Sequence, residues 1–185
     1  MRGVTRFYTS GHSTRPLPEV LQLLQAQGVT CLVDVRRFPG SRRNPQYGRE
    51  VLASALAEAG IEYIHAPGLG GRRPARPDSP NTYWRDAGFR GYADYMATAE
   101  FAAALAALEA LAADGVTAVM CAEAVPWRCH RQLVADALVA GGHEVAHIVG
   151  PGEVRPHVLN PAARVGPRGV LTYPGSAGEA GGDAA

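Results

Sequence analysis

Apolar segments of strand length alternate with segments of helical periodicity along the first 150 residues of the chain. Residues 30–35 (TCLVDV) and 116–121 (VTAVMC) are short, nearly continuous apolar runs. Runs of this kind are typical of strands that are buried on both faces of a parallel sheet. Leucine and valine recur at helical spacing in residues 16–27, just before the first of these runs. The alternation predicts a βαβ series and therefore an α/β fold.

Five strands and four helical regions are predicted in this way. The strands are residues 5–10, 30–35, 61–65, 116–121 and 143–149. The helices are residues 16–27, 49–59, 92–113, with a fresh start capped by Thr98, and 128–141. Helical crossovers cover both faces of a sheet, so the pattern predicts a three-layer domain with a mostly parallel five-stranded sheet. Ligands of such sheets bind beyond the carboxyl ends of the strands.

The same pattern divides the chain into three parts. Residues 1–150 are expected to form a single α/β domain, and residues 151–174 an extension that packs on or beside it. Residues 175–185, rich in glycine and alanine, are expected to be a disordered tail. Residues 66–91 are too rich in Gly, Pro and Arg for a regular element. A connection of that length is usually a functional lid or disordered.

Composition narrows the class of protein. A chain of 185 residues, 46% of them hydrophobic, suits one hydrophobic core. No apolar stretch approaches the roughly 18 residues of a membrane span, and the first residues lack the apolar core of a secretory signal. The three cysteines are too few for a stapled secreted fold. We therefore expect a cytoplasmic protein without a membrane partner, and the sequence predicts no particular oligomeric state.

Polar and titratable residues follow the predicted strands, and in a parallel sheet they would converge on one edge. The four candidate catalytic residues are His12 after the first strand, Asp34 in the second, and Cys121 and Glu123 after the fourth. Glu123 and His12 are the acid/base candidates. A structural alternative stays open for two of them, because Asp34 could bond backbone groups at the strand end and His12 could cap a helix.

Arginine supplies all 18 basic residues, although the formal net charge is only +1. Four arginines fall within the eight residues RRFPGSRR, 36–43. Guanidinium groups match phosphate and carboxylate bidentately, so this cluster indicates an anionic ligand. The loop GLGGRR, 68–73, adds glycines that let a ligand approach the backbone closely. The predicted substrate-binding residues are Ser13, Arg36, Arg37, Ser41, Arg42, Gly70, Gly71, Arg72 and Arg131.

The segment MCAEAVPWRCHR, 120–131, concentrates reactive side chains. Cys121 is placed between a buried strand and a helix start, where helix N–H groups can lower a thiol pKa. This placement resembles that in rhodaneses and cysteine phosphatases, but their glycine-rich anion loop is missing, and Glu123 would repel a thiolate. The sequence therefore favours Glu123 over Cys121 for the chemistry.

A metal site is not predicted. Cys121, Cys129 and His130 are the candidate ligands, but their spacing is not an established zinc pattern. Cys129 and His130 are also expected to point away from each other on a helix. The sequence identifies no cofactor.

Several motifs together resemble the bacterial and archaeal "domain of unknown function 488" family. They are TSGHS (9–13), VDVRRFPGSRRNPQY (33–47), LGGRR (69–73), FRGYADYM (89–96), MCAEAVPWRCHR (120–131) and VAHI (145–148). The family's usual opening is TIGHS, so Ser10 replaces an isoleucine here. The resemblance implies no activity, because the family is defined by its sequence. It places twelve residues on motif positions: His12, Asp34, Arg36, Pro39, Ser41, Gly70, Gly71, Cys121, Glu123, Cys129, His130 and Arg131.

These observations favour an enzyme of hydrolase or transferase type that acts on an anionic, phosphate-bearing substrate such as a nucleotide or nucleic acid. One alternative is a non-catalytic nucleic-acid or nucleotide-binding module, in which Tyr83, Trp84 and Phe89 stack on bases. The other is cysteine chemistry, either sulfur transfer or metal binding, through Cys121 and Cys129. A small anionic ligand or a nucleic acid is thus the expected partner.

Overall fold

A computed structural model describes residues 4–40 and 42–176 of the chain. The strands are β1 Arg6–Gly11, β2 Cys31–Asp34, β3 Glu62–His65, β4 Thr117–Cys121, β5 Glu144–Gly150, β6 Glu153–Pro156, β7 Arg164–Val165 and β8 Leu171–Thr172. The α-helices are α1 Leu17–Ala26, α2 Arg49–Glu58, α3 Ala87–Tyr95, α4 Ala99–Leu111 and α5 Arg131–Ala140. Short 3₁₀ helices are formed by Pro45–Tyr47, Pro67–Leu69, Pro126–Arg128 and Pro167–Gly169. Within the described ranges, no helix has the length and apolar character of a membrane span.

Six strands form the main sheet in the order β3-β2-β4-β1-β5-β6. The first five are parallel, and β6 pairs antiparallel with β5. The predicted α/β fold with a mostly parallel sheet is confirmed, and its five predicted strands lie within a residue or two of the observed ones. The sixth strand was not predicted. It ends at Pro156, a residue that an edge strand tolerates because its outer side needs no N–H donor.

The two faces of the sheet are covered by different helices. Side chains alternate between faces along a strand, and in β4 this sends Ala118 and Met120 into a core with α1 and α2. Val119 and Cys121 enter the opposite core, which contains residues of α3, α4 and α5. Helices therefore lie on both sides of the sheet, which gives the predicted three layers. The same alternation directs the sulfur of Cys121 toward the start of α5.

The central strands β1 and β4 lie side by side and continue into helices on opposite faces. The chain leaves β1 through α1 on one face and leaves β4 through α5 on the other. A gap opens where two neighbouring connections diverge in this way, and ligands of α/β proteins bind in such gaps. Gly11 and Cys121, the last residues of the two strands, are paired directly at this point.

Residues 66–86 form an ordered connection that is tied to α3 by a buried carboxylate. Asp94 of α3 accepts hydrogen bonds from the Arg76 main-chain nitrogen (2.8 Å), from Ser79 (2.5 Å) and from Asn81 (2.8 Å). Helix α3 begins at Ala87, five residues before the predicted helix. The predicted restart at Thr98 is confirmed, because its hydroxyl accepts the main-chain N–H of Phe101.

Residues after β6 return to the domain. Leu171 and Tyr173 are buried in the core with α3 and α5. The Tyr173 main-chain N–H donates to Asn81, and its hydroxyl donates to Asp136 of α5 at 2.8 Å. Gly175 donates its N–H to Thr82. The tail that the sequence predicts to be disordered lies outside the described residues from residue 177 onward.

Candidate active site

A cleft with a volume of about 380 Å³ opens at the carboxyl ends of β1, β2 and β4. Its lining comes from the residues that follow these strands, from the loop after β3 and from the start of α5. The lining residues are His12, Arg36, Arg37, Phe38, Gly40, Asn44, Gly71, Arg72, Cys121, Ala122 and His130. Three of them are arginines, and no Asp or Glu lines the cleft within the described part of the chain. The cleft therefore favours a negatively charged ligand.

Cys121 contributes its sulfur to the cleft from the end of β4. The residue is 8% exposed and lies beside Cys129 and His130. The His130 Nδ1 atom is 4.0 Å from the Cys121 Sγ and 3.7 Å from the Cys129 Sγ. Gly71 packs closely against the imidazole, since a Cβ at residue 71 would lie 3.0 Å from Nδ1. The glycine of this loop thus allows His130 to lie against the two sulfurs.

The two cysteines have opposite acidities. A hydrogen bond from the Cys129 thiol lowers the pKa of Cys121 well below that of an ordinary thiol, although burial opposes this shift; His130 and the Glu123 main chain lower it further. The same hydrogen bond, together with burial, raises the pKa of Cys129 well above its usual value. Of the two thiols, Cys121 is therefore the one that loses its proton more readily. A thiolate is the nucleophilic form of cysteine.

The turn after Cys121 is held by contacts with its backbone. Arg131, which is 1% exposed, donates hydrogen bonds to the carbonyl oxygens of Glu123 and Ala124. A Cβ on Gly11 would lie 1.8 Å from the Glu123 carbonyl oxygen, so only glycine permits this approach. The sequence places Arg131 among the anion ligands, whereas the structure places its guanidinium on these two carbonyl groups. Its guanidinium is used to hold the turn and does not line the cleft.

Glu123 also differs from the expectation that it faces the crevice. Its side chain is exposed and does not line the cleft, and its carboxylate accepts the main-chain N–H of Val125 at 3.3 Å. The turn held by Arg131 directs the carboxylate outward. In this position the carboxylate is not part of the cleft lining.

His12 lines the cleft as a neutral ring. It is 2% exposed and stacks on Tyr47, with ring centroids 3.9 Å apart. Its Nδ1 lies 2.8 Å from the Ser13 carbonyl oxygen, which can only accept, so Nδ1 carries the proton. Burial lowers the pKa of His12, and the nearby Arg36 charge adds to this effect. The free lone pair on Nε2 accepts from Arg36 Nη1 at 3.3 Å. His12 therefore positions Arg36 and is not a free base.

Asp34 holds the same arginine from the other side. Its carboxylate is fully buried and accepts from Arg36 Nε at 2.9 Å and Nη2 at 2.6 Å, and from the Tyr63 hydroxyl at 2.7 Å. Arg36 Nη2 donates also to the Tyr47 carbonyl. These bonds leave Nη1 as the part of the guanidinium that turns to His12 and the cleft. Asp34 does not line the cleft, so its role there is to position Arg36.

Arg37 and Arg72 form the outer rim. Both are exposed, and Arg37 Nη1 donates to the Arg72 carbonyl at 3.0 Å. Gly70 permits this contact, because a Cβ there would lie 3.0 Å from the Arg37 Cβ. Arg72 has a φ of 59°, a left-handed conformation that is uncommon without glycine. Two charged side chains therefore lie at the mouth of the cleft. Arg72 has a left-handed backbone, and Arg37 packs closely against Gly70.

The structure thus gathers part of the predicted set. Six of the predicted catalytic and substrate-binding residues line the cleft, together with the candidate metal ligand His130: His12, Arg36, Arg37, Gly71, Arg72 and Cys121. Ser13, Arg42 and Gly70 do not line it, and Ser41 lies outside the described residues. Ser13 instead donates its main-chain N–H to the Ala122 carbonyl. Sequence reasoning missed Phe38, which lies within the arginine cluster, and Asn44, which directly follows it; neither carries a signal of its own.

Cys121, Cys129 and His130 could also hold a metal ion. Their two sulfurs and one ring nitrogen all lie within 4.8 Å of one another. The expectation that Cys129 and His130 point apart on a helix is wrong, because Cys129 has an extended backbone (φ −129°, ψ 144°) and α5 begins only at Arg131. However, a histidine ligand normally bonds an outer partner through its other nitrogen. The His130 Nε2 is buried and has no such partner among the described residues.

The fold and the cleft define an α/β protein with a cysteine and three arginines at the carboxyl edge of a mostly parallel sheet. The chain belongs to the family described as "Domain of unknown function DUF488", whose model matches residues 16–138. The resemblance seen in the sequence motifs is thereby confirmed. The matched range is shorter than the motifs, since it excludes the segment 9–13 and the segment 145–148. No curated protein and no solved structure matches the chain.

Proposed function

We propose that this protein is a cysteine-dependent enzyme, of transferase or hydrolase type, in which the Cys121 thiolate attacks an anionic substrate. One observation carries the proposal: a single cleft joins the Cys121 sulfur to three arginines without a lining carboxylate in the described chain. A nucleophile requires a lowered pKa and access to the substrate. Cys121 has both, whereas Glu123 has no access to the cleft.

The reaction begins when an anionic group enters between Arg36, Arg37 and Arg72. The thiolate forms a bond with the electrophilic atom of that group, and the leaving group departs with the electron pair of the broken bond. Transfer of the covalently held group to water makes the enzyme a hydrolase, and transfer to another acceptor makes it a transferase. The guanidinium groups stabilise negative charge in the transition state, which is where electrostatic catalysis has its largest effect.

A phosphate-bearing substrate such as a nucleotide is consistent with the cleft mouth. Phe38 is 68% exposed and lies beside Arg37, whose guanidinium is 5.7 Å from the ring centroid. An exposed aromatic ring next to arginines can stack on a planar base. The aromatic residues of the connection fit this role less well, because Trp84 and Phe89 pack against the hydrophobic core.

The pH dependence of alkylation tests the nucleophile. Reduced protein is treated with iodoacetamide over a range of pH, and each cysteine is followed by peptide mass mapping. Cys121 should react with a midpoint well below the value of about 8.5 for a free thiol. Cys31 is the matched control, since burial raises the pKa of its thiol to about 11. A Cys121 midpoint at or above that of a free thiol would contradict the proposal.

Protection by inorganic phosphate tests the anion site. Phosphate should slow the alkylation of Cys121, and Arg72→Ala should weaken this protection severalfold. Arg85→Ala is the control, because Arg85 is also exposed but does not line the cleft. Equal protection in both variants, or none in the wild type, would remove the arginines from the proposed mechanism.

A further inference from the structure

Two thiols lie together at the base of the cleft, but the proposed reaction uses only one of them. Cys121 lines the cleft, and Cys129 lies behind it at 4% exposure. Their sulfurs are within 4.8 Å of each other, and the His130 Nδ1 atom lies 4.0 Å from the Cys121 sulfur and 3.7 Å from the Cys129 sulfur. A nucleophilic thiolate that a small molecule can reach is also a target of oxidation, and a nearby second cysteine commonly resolves the oxidised form.

We propose that a peroxide entering the cleft oxidises Cys121, and that Cys129 then forms a reversible disulfide with it. The inference deepens the proposed function and rests on it in one respect, since both take Cys121 as the reactive thiol. The ligand in this case is a small hydroperoxide, which supplies the oxidant. The disulfide removes the sulfur nucleophile until a reductant restores it.

The atoms balance over two steps. The Cys121 thiolate attacks one peroxide oxygen, the O–O bond breaks, and the departing oxygen leaves as water or an alcohol after taking a proton. Cys121 is then a sulfenic acid, and the peroxide has been reduced. In the second step the Cys129 sulfur attacks the Cys121 sulfur, the S–O bond breaks, and the oxygen leaves as water with the Cys129 proton. Two thiols have become one disulfide.

The local backbone permits the closure. A disulfide requires the two sulfurs to approach to about 2 Å, so the Sγ atoms must move together by a side-chain rotation or a small shift. Cys129 lies between the short helix Pro126–Arg128 and α5, on extended backbone that belongs to neither element. Cys121 is fixed at the end of β4 by its pairing with Gly11. The movement therefore falls on Cys129.

The third cysteine makes the pairing specific. Cys31 is in β2, 5% exposed, and does not line the cleft. Burial raises the pKa of its thiol to about 11, with a contribution from Glu62. Cys31 is therefore protonated at neutral pH and unreactive toward peroxides, so an intramolecular disulfide should form between Cys121 and Cys129 alone.

The test treats the reduced full-length protein with hydrogen peroxide and measures intact mass and peptide masses. Wild type should lose two hydrogen atoms, yield one linked peptide pair containing Cys121 and Cys129, and lose iodoacetamide labelling of Cys121. Dithiothreitol should restore both mass and labelling. Cys129→Ser should instead gain oxygen on Cys121 and react with dimedone, which traps sulfenic acids. Cys31→Ser should behave like wild type.

Three results would overturn the proposal of a disulfide between Cys121 and Cys129. Oxidation of wild-type Cys121 to a sulfinic acid without a linked peptide would overturn the inference, and so would a disulfide that includes Cys31. A stoichiometric metal ion that shields both thiols until a chelator is added would overturn it as well. Because the linked peptide is sought in wild type, the test does not depend on the folding of Cys129→Ser. If Cys121 is alkylated with a midpoint below that of a free thiol but forms no disulfide, this inference fails and the proposed function stands. If its midpoint is not below that of a free thiol, the proposed function fails.

Discussion

Replacing Asp34 by asparagine removes the charge that holds the cleft's innermost arginine while keeping the shape of the side chain. Asp34 is fully buried and Arg36 is 8% exposed. The carboxylate accepts the Arg36 main-chain N–H at 3.0 Å in addition to the bonds from its guanidinium and from Tyr63. Asparagine leaves a buried guanidinium without a counter-charge. Removing one partner of a buried ion pair costs about 3–5 kcal/mol, so we expect Asp34→Asn to lose that much unfolding free energy.

The chain contains a matched exposed pair that serves as the control. Arg76 and Asp78 are also two residues apart and also form a forked contact, with distances of 3.0 and 2.7 Å. Their side chains are 59% and 71% exposed, where ion pairs contribute little to stability. Asp78→Asn should therefore leave the unfolding curve unchanged.

Urea denaturation followed by circular dichroism measures both variants under the same conditions. Equal losses in the two variants would refute the argument, because both pairs form the forked contact but only Asp34 is buried and bonded also to Tyr63 and to the main chain. A loss below about 1 kcal/mol for Asp34→Asn would also refute it, since that value is typical of an exposed pair. Unchanged phosphate protection of Cys121 in a folded Asp34→Asn protein would show that Asp34 does not position Arg36 for the anion.

Three further substitutions test other parts of the structure. Gly11→Ala should lower the free energy of unfolding by about 1–3 kcal/mol and slow the alkylation of Cys121, because the added Cβ would clash with the Glu123 carbonyl. Gly150→Ala is the control and should be tolerated, because a Cβ there would have no neighbour within 4 Å. Burial lowers the pKa of His147 from 6.5 to about 3, so between these two pH values the unfolded chain binds a proton that the folded chain does not. The free energy of unfolding should therefore fall as the pH drops from 6.5 toward 3. In urea titrations, His147→Gln should make this pH dependence weaker. Thr98→Ala should cost about 0.5–2 kcal/mol in the same assay, since the cap of α4 is lost.

The strands could be predicted because their signal is local and strong. Residues 30–35 and 116–121 are apolar throughout, and both become central strands that are buried on both faces. The antiparallel β6 gave no such signal, since Glu153, Arg155 and Pro156 break any apolar run. An edge strand needs little burial, and its pairing with β5 depends on a tight turn at Pro151 and Gly152 rather than on composition.

The ends of two elements were misplaced for reasons that depend on tertiary contacts. Helix α3 starts at Ala87 because the Asp86 side chain accepts the Phe89 N–H, although the glycines at 88 and 91 weaken the helical pattern. Gly91 is required there, since a Cβ would lie 2.0 Å from the Arg73 carbonyl oxygen. Helix α5 starts late because the residues before it form the short 3₁₀ helix and the extended Cys129.

Whether the position of a site residue could be predicted depends on how far it lies beyond the last backbone hydrogen bond between its strand and the neighbouring strand. His12 follows β1 but still donates its N–H to the Cys121 carbonyl, so the direction of β1 continues through it; it ends at Ser13, whose φ of 49° is left-handed. Val35 likewise donates to Met120, which carries β2 onward to Arg36. The alternation of side chains therefore remains a valid guide at these positions.

Glu123 lies beyond that limit, and this is why extrapolating from β4 failed. Two residues after Cys121, alternation would point the carboxylate to the same side as the sulfur. Instead the carbonyl groups of Glu123 and Ala124 turn toward the Arg131 guanidinium, which the sequence presents only as one more basic residue. A buried arginine that binds carbonyl groups cannot be told from an anion ligand by its residue type. The choice between Cys121 and Glu123 thus depends on one side chain of α5, which turns Glu123 outward and leaves the Cys121 sulfur as the nucleophile that we propose.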